Sequence, residues 1–268
     1  MRLRIVTAAV VLPTLAILVL LGGWWFSLGV AVVSAAGVLE ICHMARKRGF
    51  RSLSTVSVLI SVSIVAVSHF VAQDPFVIVP VPGILGALSI AYLIWILGNQ
   101  PPRSGMHALG TTIAPALYVG GLLFYAPVLR GIEEGLQWML VALTVTFAAD
   151  TGSLMAGRIF GTHPMAPAVS PSKTWEGAFF GLAVAMLITP FGAMGMDLVE
   201  RLPVALGLGL GMSVTGQVGD LVESRLKRVA GFKDSGVIMP GHGGVLDRLD
   251  SIVFTLPFVY YSALWVAL

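Results

Sequence analysis

The amino-acid sequence predicts an all-α polytopic integral membrane protein, a helical bundle of about nine transmembrane helices with its N-terminus in the cytoplasm. Of its 268 residues, 57% are hydrophobic and only 11% are charged, and the mean hydropathy is +0.92. Ordinary soluble domains carry roughly 25% charged residues. A soluble protein this apolar would have no polar surface to present to water. The apolar runs are continuous rather than alternating, which favours helices.

The same composition excludes several other classes of protein. A disordered chain or a nucleic-acid binder with a basic face would need far more charge than 16 basic and 13 acidic residues supply. The single cysteine, Cys42, excludes a disulfide framework and a multi-cysteine zinc site. We therefore expect membrane lipid, and no nucleic acid, among the partners of this chain.

The helices are placed by apolar runs close to the roughly 20 residues that a bilayer requires. The first run follows Arg2 and Arg4, as in a signal peptide, but no small-residue cleavage site follows it and the next run begins after Gly22 and Gly23. It is therefore counted as a retained span. The nine predicted spans are residues 5–22, 25–44, 54–72, 76–98, 108–129, 136–156, 176–196, 203–223 and 249–267.

The distribution of basic residues supports this span count and sets the orientation. Only Arg130 and Arg201 fall on the outer side. The other 14 of the 16 basic residues fall in cytoplasmic loops or span ends, as the positive-inside rule requires: Arg2, Arg4, Arg46, Lys47, Arg48, Arg51, Arg103, Arg158, Lys173, Arg225, Lys227, Arg228, Lys233 and Arg248.

No change in composition divides the chain, so residues 1–268 are predicted to form a single membrane domain. Its N-terminal part, 1–130, contains spans with few motifs. The remainder, 131–268, holds two polar cytoplasmic loops at 157–175 and 224–248. These loops carry most of the polar chemistry and mark this half as the catalytic one.

Several carboxylates lie at or near the predicted membrane boundary. Asp150 ends an apolar run well inside its span, and an ionisable group at such a depth is a functional candidate by default. Asp220 and Glu223 share a helix face at i, i+3. Asp247 and Asp250 are expected to open the last span with the same spacing.

Carboxylates on neighbouring helix ends suit a hard cation such as Mg²⁺, which binds one or two carboxylates together with substrate phosphates. Nearby lysines and arginines suit phosphate charge, and glycines bring backbone N–H groups close to an anion. The pattern predicts metal-assisted phosphoryl chemistry at the cytoplasmic face. His242 is left with three roles, as a general acid or base, a metal ligand, or a hydrogen-bonded structural residue.

One long motif resembles a known family. Residues 224–250 read S-R-L-K-R-V-A-G-F-K-D-S-G-V-I-M-P-G-H-G-G-V-L-D-R-L-D. This stretch resembles the signature of the phosphatidate cytidylyltransferases, also called CDP-diacylglycerol synthases, with Met239 at a position where that family more often has Leu, Ile or Phe. Residues 150–161, D-T-G-S-L-M-A-G-R-I-F-G, and 170–177, S-P-S-K-T-W-E-G, also resemble family segments.

The resemblance implies that CTP and phosphatidate react to give CDP-diacylglycerol and pyrophosphate, with Mg²⁺ as cofactor, for phospholipid synthesis. It implies metal binding by Asp220 and Asp247, with Glu223 and Asp250 as further candidate ligands. Asp220, Lys233, Asp247 and Arg248 are the predicted catalytic residues, Arg248 either neutralising phosphate or orienting an aspartate. Substrate binding is assigned to Ser170, Ser172, Lys173, Thr174, Lys227, Arg228, His242, Gly243 and Gly244.

Two alternatives remain from the sequence. A related CTP-dependent enzyme would use another lipid phosphate, and a cation-coupled secondary transporter would use Asp150 and Asp220 as ion sites. For the enzyme we expect an inner or plasma membrane location with the active site facing the cytoplasm. Homo-oligomer formation is left open.

Overall fold

The computed structural model describes residues 2–72, 81–99, 105–192, 202–236, 238 and 243–267. In this part of the chain the all-α prediction is confirmed. Seven helices are long and apolar enough to cross a membrane, and shorter apolar helices at Ala9–Leu21 and Ile252–Val266 match the first and last predicted spans. The α-helices are α1 Arg2–Leu21, α2 Gly23–Lys47, α3 Ser54–Val71, α4 Val81–Asn99, α5 Gly105–Leu123, α6 Tyr125–Gly131, α7 Gly135–Phe160, α8 Trp175–Gly192, α9 Leu202–Ala230 and α10 Ile252–Ala267.

The fifth predicted span is divided into α5 and α6 at Phe124. Pro127 lies in the first turn of α6 and has no backbone N–H to donate to the carbonyl four residues earlier, which is that of Leu123. The two helices together still form one apolar stretch, His107–Gly131, of spanning length.

The two segments predicted as cytoplasmic loops contain more regular structure than the sequence predicted. Strands β1 (Pro164–Ala166) and β2 (Ser170–Thr174) pair antiparallel within the expected 157–175 loop. Helix α9 continues to Ala230, so Lys227 and Arg228 lie on a helix rather than in a loop.

The expectation that Asp247 and Asp250 open the last span on one helix face is wrong. Asp247 lies in a short 3-10 turn at Leu246–Arg248, Asp250 lies in a following turn, and α10 begins only at Ile252. The side chain of Asp247 instead accepts hydrogen bonds from the preceding loop, which holds the chain in this turn ahead of the helix.

The described residues form two compact units, Met1–Ile132 with Leu226–Leu249, and Glu133–Arg225 with Asp250–Leu268. The first unit contains α1 to α6 and the end of α9. Its helices α2, α3 and α5 approach closely through small residues, since Ser34 and Ser61 share a 2.5 Å hydrogen bond and a Cβ at Gly120 would lie 2.7 Å from the Ser61 hydroxyl.

The second unit contains α7, the β-hairpin, α8, most of α9 and α10. Helices α7 and α8 pack on small residues, because a Cβ at Gly177 would lie 2.6 Å from the Ser153 carbonyl oxygen. Helix α9 is fixed to α8 by Gln217, whose Nε2 donates to the Ala178 carbonyl at 3.1 Å. This packing brings polar residues from α7, α9 and the hairpin, with Gly177 and Ala178 of α8, around one cavity.

Candidate active site

The second unit contains a polar cavity of about 260 Å³. Helix α7 lines it with Asp150 and Ser153, α9 lines it with Gln217 and Asp220, and β2 forms one wall. Four of the predicted substrate-binding residues lie together on that wall: Ser170, Ser172, Lys173 and Thr174. The structure therefore brings the hairpin motif, Asp150 and Asp220 into one cavity.

An ion pair joins the hairpin to α9 inside this cavity. Lys173 Nζ lies 2.6 Å from Asp220 Oδ2, and the two side chains are 21% and 31% exposed. The Ser224 hydroxyl donates to the other oxygen of Asp220 at 3.3 Å. The pair places one positive and one negative group where a phosphate ester and a cation would both find a counter-charge.

Asp150 supplies a second carboxylate to the same cavity. It accepts a hydrogen bond from the Ser251 side chain and interacts electrostatically with both Asp220 and Lys173. Ser153, one turn further along α7, has a buried hydroxyl without a hydrogen-bond partner among the described residues. A bound ligand in this cavity would supply that missing partner.

The residues of this cavity fit a magnesium ion. Mg²⁺ usually keeps several waters and takes one or two carboxylates plus substrate phosphates, so Asp150 and Asp220 form a suitable donor set. No cluster of three or more His, Cys, Asp or Glu side chains arranged to hold a metal occurs among the described residues.

In the first unit, the loop after α9 is organised by Asp247. Lys227 Nζ contacts Asp247 Oδ1 at 2.6 Å, and the two side chains are 10% and 9% exposed. Asp247 Oδ2 accepts hydrogen bonds from the backbone N–H of Ser235 at 2.9 Å and of Gly244 at 2.8 Å. Burial alone would raise the pKa of Asp247, but these hydrogen bonds, led by that of Lys227, hold the pKa below its ordinary value.

The remaining predicted site residues occupy varied positions. Lys233 and Arg248 are exposed, Gly244 is buried, and Gly243 adopts a left-handed φ of 86°. Arg228 donates to the Phe232 carbonyl at 3.4 Å. Glu223 is fully buried on α9, Asp250 is half-buried, and His242 lies outside the described residues.

Asp220 and Asp247 belong to different compact units, each described separately. A metal site that uses both stays a prediction. Each carboxylate is paired with a lysine in its own unit, which sequence spacing did not reveal.

A second cavity, of about 550 Å³, lies in the first unit and was not anticipated. Lys233 and Asp234 line it together with His43 and Arg46, near the C-terminal end of α2, and with Glu40. The sequence signal for Glu40 was available, because an acidic residue within an apolar span is costly unless it has a role.

The helical architecture, with seven helices of spanning length, defines the class of this chain as a polytopic membrane protein. The sequence model of the Cytidylyltransferase family matches residues 2–265, and the chain therefore belongs to this family. This finding confirms the resemblance identified from residues 150–161, 170–177 and 224–250.

Several relatives of this chain are named phosphatidate cytidylyltransferase. The protein of that name from Synechocystis sp. is 30% identical over 285 residues, covering 96% of this chain and 94% of its own length. Those from Staphylococcus epidermidis and Staphylococcus aureus are each 32% identical, and 97% of both chains is covered in each comparison. The similarity thus extends through the N-terminal spans, where the sequence motifs are sparse.

Proposed function

We propose that this protein transfers the cytidylyl group of CTP to phosphatidate, giving CDP-diacylglycerol and pyrophosphate, with Mg²⁺ as cofactor. The observation that carries the proposal is full-length similarity to relatives named phosphatidate cytidylyltransferase. The cavity with Asp150, Lys173 and Asp220 supports it, because it combines carboxylates and a cation with hydroxyl donors. The helices of spanning length suit a substrate held in the bilayer by its acyl chains.

The chemistry joins a phosphate oxygen of phosphatidate to the α-phosphorus of CTP. The bond from that phosphorus to the oxygen bridging to the β-phosphate breaks, and pyrophosphate leaves with the bonding electrons. A phosphomonoester has a second pKa near 6, so the nucleophile is largely dianionic at neutral pH and needs no general base. The barrier is the repulsion between two polyanions, which charge neutralisation and in-line positioning reduce.

Lys173 is the residue best placed to neutralise substrate charge in the cavity. Its ammonium group is held by Asp220 at 2.6 Å, so an entering phosphate competes with this carboxylate for the lysine. Movement of Lys173 onto the phosphate would leave an oxygen of Asp220 free to hold a cation. Bound Mg²⁺ would neutralise phosphate oxygens, and Asp220 with Asp150 would hold it. Ser170, Ser172 and Thr174 supply hydroxyl donors for phosphate oxygens.

The direct test mixes purified protein in detergent with labelled CTP, Mg²⁺ and phosphatidate, and follows both CDP-lipid and pyrophosphate. We expect both products in equal amounts, and neither without phosphatidate. A parallel reaction contains a polyprenyl phosphate in place of phosphatidate. A CDP-lipid formed only in that reaction would indicate that the enzyme uses another lipid acceptor. Absence of CDP-lipid with either acceptor, combined with substrate-dependent uptake into liposomes, would refute the proposal in favour of a transporter.

We also propose that the hairpin faces the cytoplasm of the plasma membrane, as the basic-residue distribution indicates. The lone native cysteine, Cys42, is buried and can be replaced by serine. A single cysteine is then introduced at exposed Ala168 in the hairpin or, for comparison, at exposed Glu133. An impermeant maleimide added outside intact cells should label the Glu133→Cys protein only. Labelling of the Ala168→Cys protein would show that the hairpin faces the outside, opposite to the proposal.

A further inference from the structure

Glu40 lies on α2 and is 3% exposed. Its carboxylate accepts three hydrogen bonds from the loop that follows α9. The Ser235 hydroxyl donates to Oε2 at 2.7 Å, the Val245 backbone N–H donates to Oε1 at 2.8 Å, and that of Leu246 donates to Oε2 at 3.0 Å. One buried side chain on a membrane helix thus holds two parts of the loop.

The loop is shaped closely around this carboxylate. A Cβ at Gly236 would lie 2.5 Å from Glu40 Oε1, and a Cβ at Gly244 would clash with both the Ser235 hydroxyl and the Glu40 carboxylate. Real Cβ atoms do not approach oxygens so closely, so a side chain at either position would displace the carboxylate from its present place. Glycine at both positions therefore belongs to the same arrangement as Glu40.

Ser235 connects Glu40 to the ion pair of this unit. Its hydroxyl lies 2.7 Å from Glu40 and 3.1 Å from Asp247 Oδ2, and its backbone N–H donates to the same Asp247 oxygen at 2.9 Å. Asp247 in turn pairs with Lys227 at 2.6 Å. The contacts run without interruption from Glu40 through Ser235 and Asp247 to Lys227.

We infer that Glu40 is a positioning residue for the transferase reaction, setting the geometry of the loop that holds the predicted site residues Asp247 and Lys227. The inference rests on the proposed function. Both carboxylate oxygens are occupied by loop donors, so Glu40 acts through the loop rather than on the reacting atoms. All three groups facing it are donors, so a carboxylate, with acceptors on both sides, is required there.

The first variant is Glu40→Gln, which keeps the shape but turns an NH₂ group toward backbone N–H donors. We expect kcat to fall about 10- to 100-fold, the range seen when partners that orient functional groups are removed. The KM for CTP should change less than kcat, because the groups remain present but are misaligned. The matched control is Ser34→Ala, which removes a buried hydrogen bond of the same helix away from the loop.

A merely structural role predicts a different result. In that case Glu40→Gln and Ser34→Ala would lower the unfolding midpoint together and leave kcat per folded molecule unchanged, which would overturn the inference. Should Glu40→Gln fail to fold, Ser235→Ala removes one donor to the carboxylate and tests the same contact. The Ser235→Ala protein should also lose kcat, and wild-type kcat in that protein would contradict the role.

Hydrogen exchange separates failure of this inference from failure of the proposed function. Amides of Val245 and Leu246 donate to Glu40, so their protection should fall in Glu40→Gln and stay unchanged in Ser34→Ala. This measurement needs no substrate. Unchanged protection in Glu40→Gln would overturn the positioning role whichever reaction the wild-type protein catalyses.

Discussion

The ion pair between Lys227 and Asp247 should contribute measurably to the stability of the folded chain. Both side chains are about nine-tenths buried, and their charged atoms lie 2.6 Å apart. Replacing Lys227 by Met keeps the apolar part of the side chain but removes the ammonium group, so the Asp247 carboxylate stays buried without its charged partner. Removing one partner of a buried pair costs about 3–5 kcal/mol.

The remaining donors to Asp247 reduce this cost. The backbone N–H groups of Ser235 and Gly244 stay in place. The contact that Asp247 loses is then one hydrogen bond between charged groups, worth about 1.5–3 kcal/mol. We expect the free energy of unfolding of Lys227→Met to fall by about 3 kcal/mol, where these two ranges meet.

The assay is unfolding in mixed detergent micelles with increasing SDS, followed by helical circular dichroism. Lys227→Met, Asp247→Asn and the double variant form a cycle, and the coupling energy should be at least about 1.5 kcal/mol. Lys47→Met, at an exposed position of α2, is the matched control and should change stability by less than about 0.5 kcal/mol. Additivity of the two single variants within about 0.5 kcal/mol would refute the reasoning.

Three further predictions concern activity and pH. Lys173→Ala should lower kcat/KM for CDP-lipid formation by roughly 100-fold, because a group that neutralises phosphate charge is lost. The control is Lys47→Ala, at an exposed position. Unchanged kinetics in Lys173→Ala would indicate that the hairpin has only a structural role. Asp220→Asn should abolish Mg²⁺-dependent turnover in protein that stays folded, and chelation should do the same to wild type until Mg²⁺ is restored. The stabilisation by Asp247, whose pKa is depressed, is present above its unfolded pKa of about 3.9 and is lost as pH falls through the lower folded value. In acid titrations the stability difference between wild type and Asp247→Asn should therefore shrink below about pH 4; a constant difference would contradict the pKa shift.

Much of the architecture followed from hydropathy because a membrane span is a property of consecutive residues. The long apolar runs correspond to helices along the described chain. The errors occurred at the ends, where water and lipid meet and apolar content no longer distinguishes helix from turn. Asp247 was assigned to the start of the last helix, yet its carboxylate is used by the backbone of the preceding loop, and the helix starts at Ile252.

The candidate site was predicted in its residue types and only partly in its partners. Asp150, Lys173 and Asp220 were all singled out, and the structure places them around one cavity. The pairing of Lys173 with Asp220 could not be read from the sequence, because it depends on how β2 packs against α7 and α8 within reach of α9. Ser153 was not singled out, since a serine in a helix has no distinctive spacing.

The sequence by itself determined the class of protein and its family, because a low content of charged residues and a long motif can be recognised without the tertiary contacts. Only the tertiary structure decided which side chains each charged group contacts. Glu40 and Ser235 are 195 residues apart along the chain, yet they share a 2.7 Å hydrogen bond. In an apolar helical bundle a buried charge is costly unless polar groups pair with it. The packing of the helices determines which polar groups lie close enough to do so.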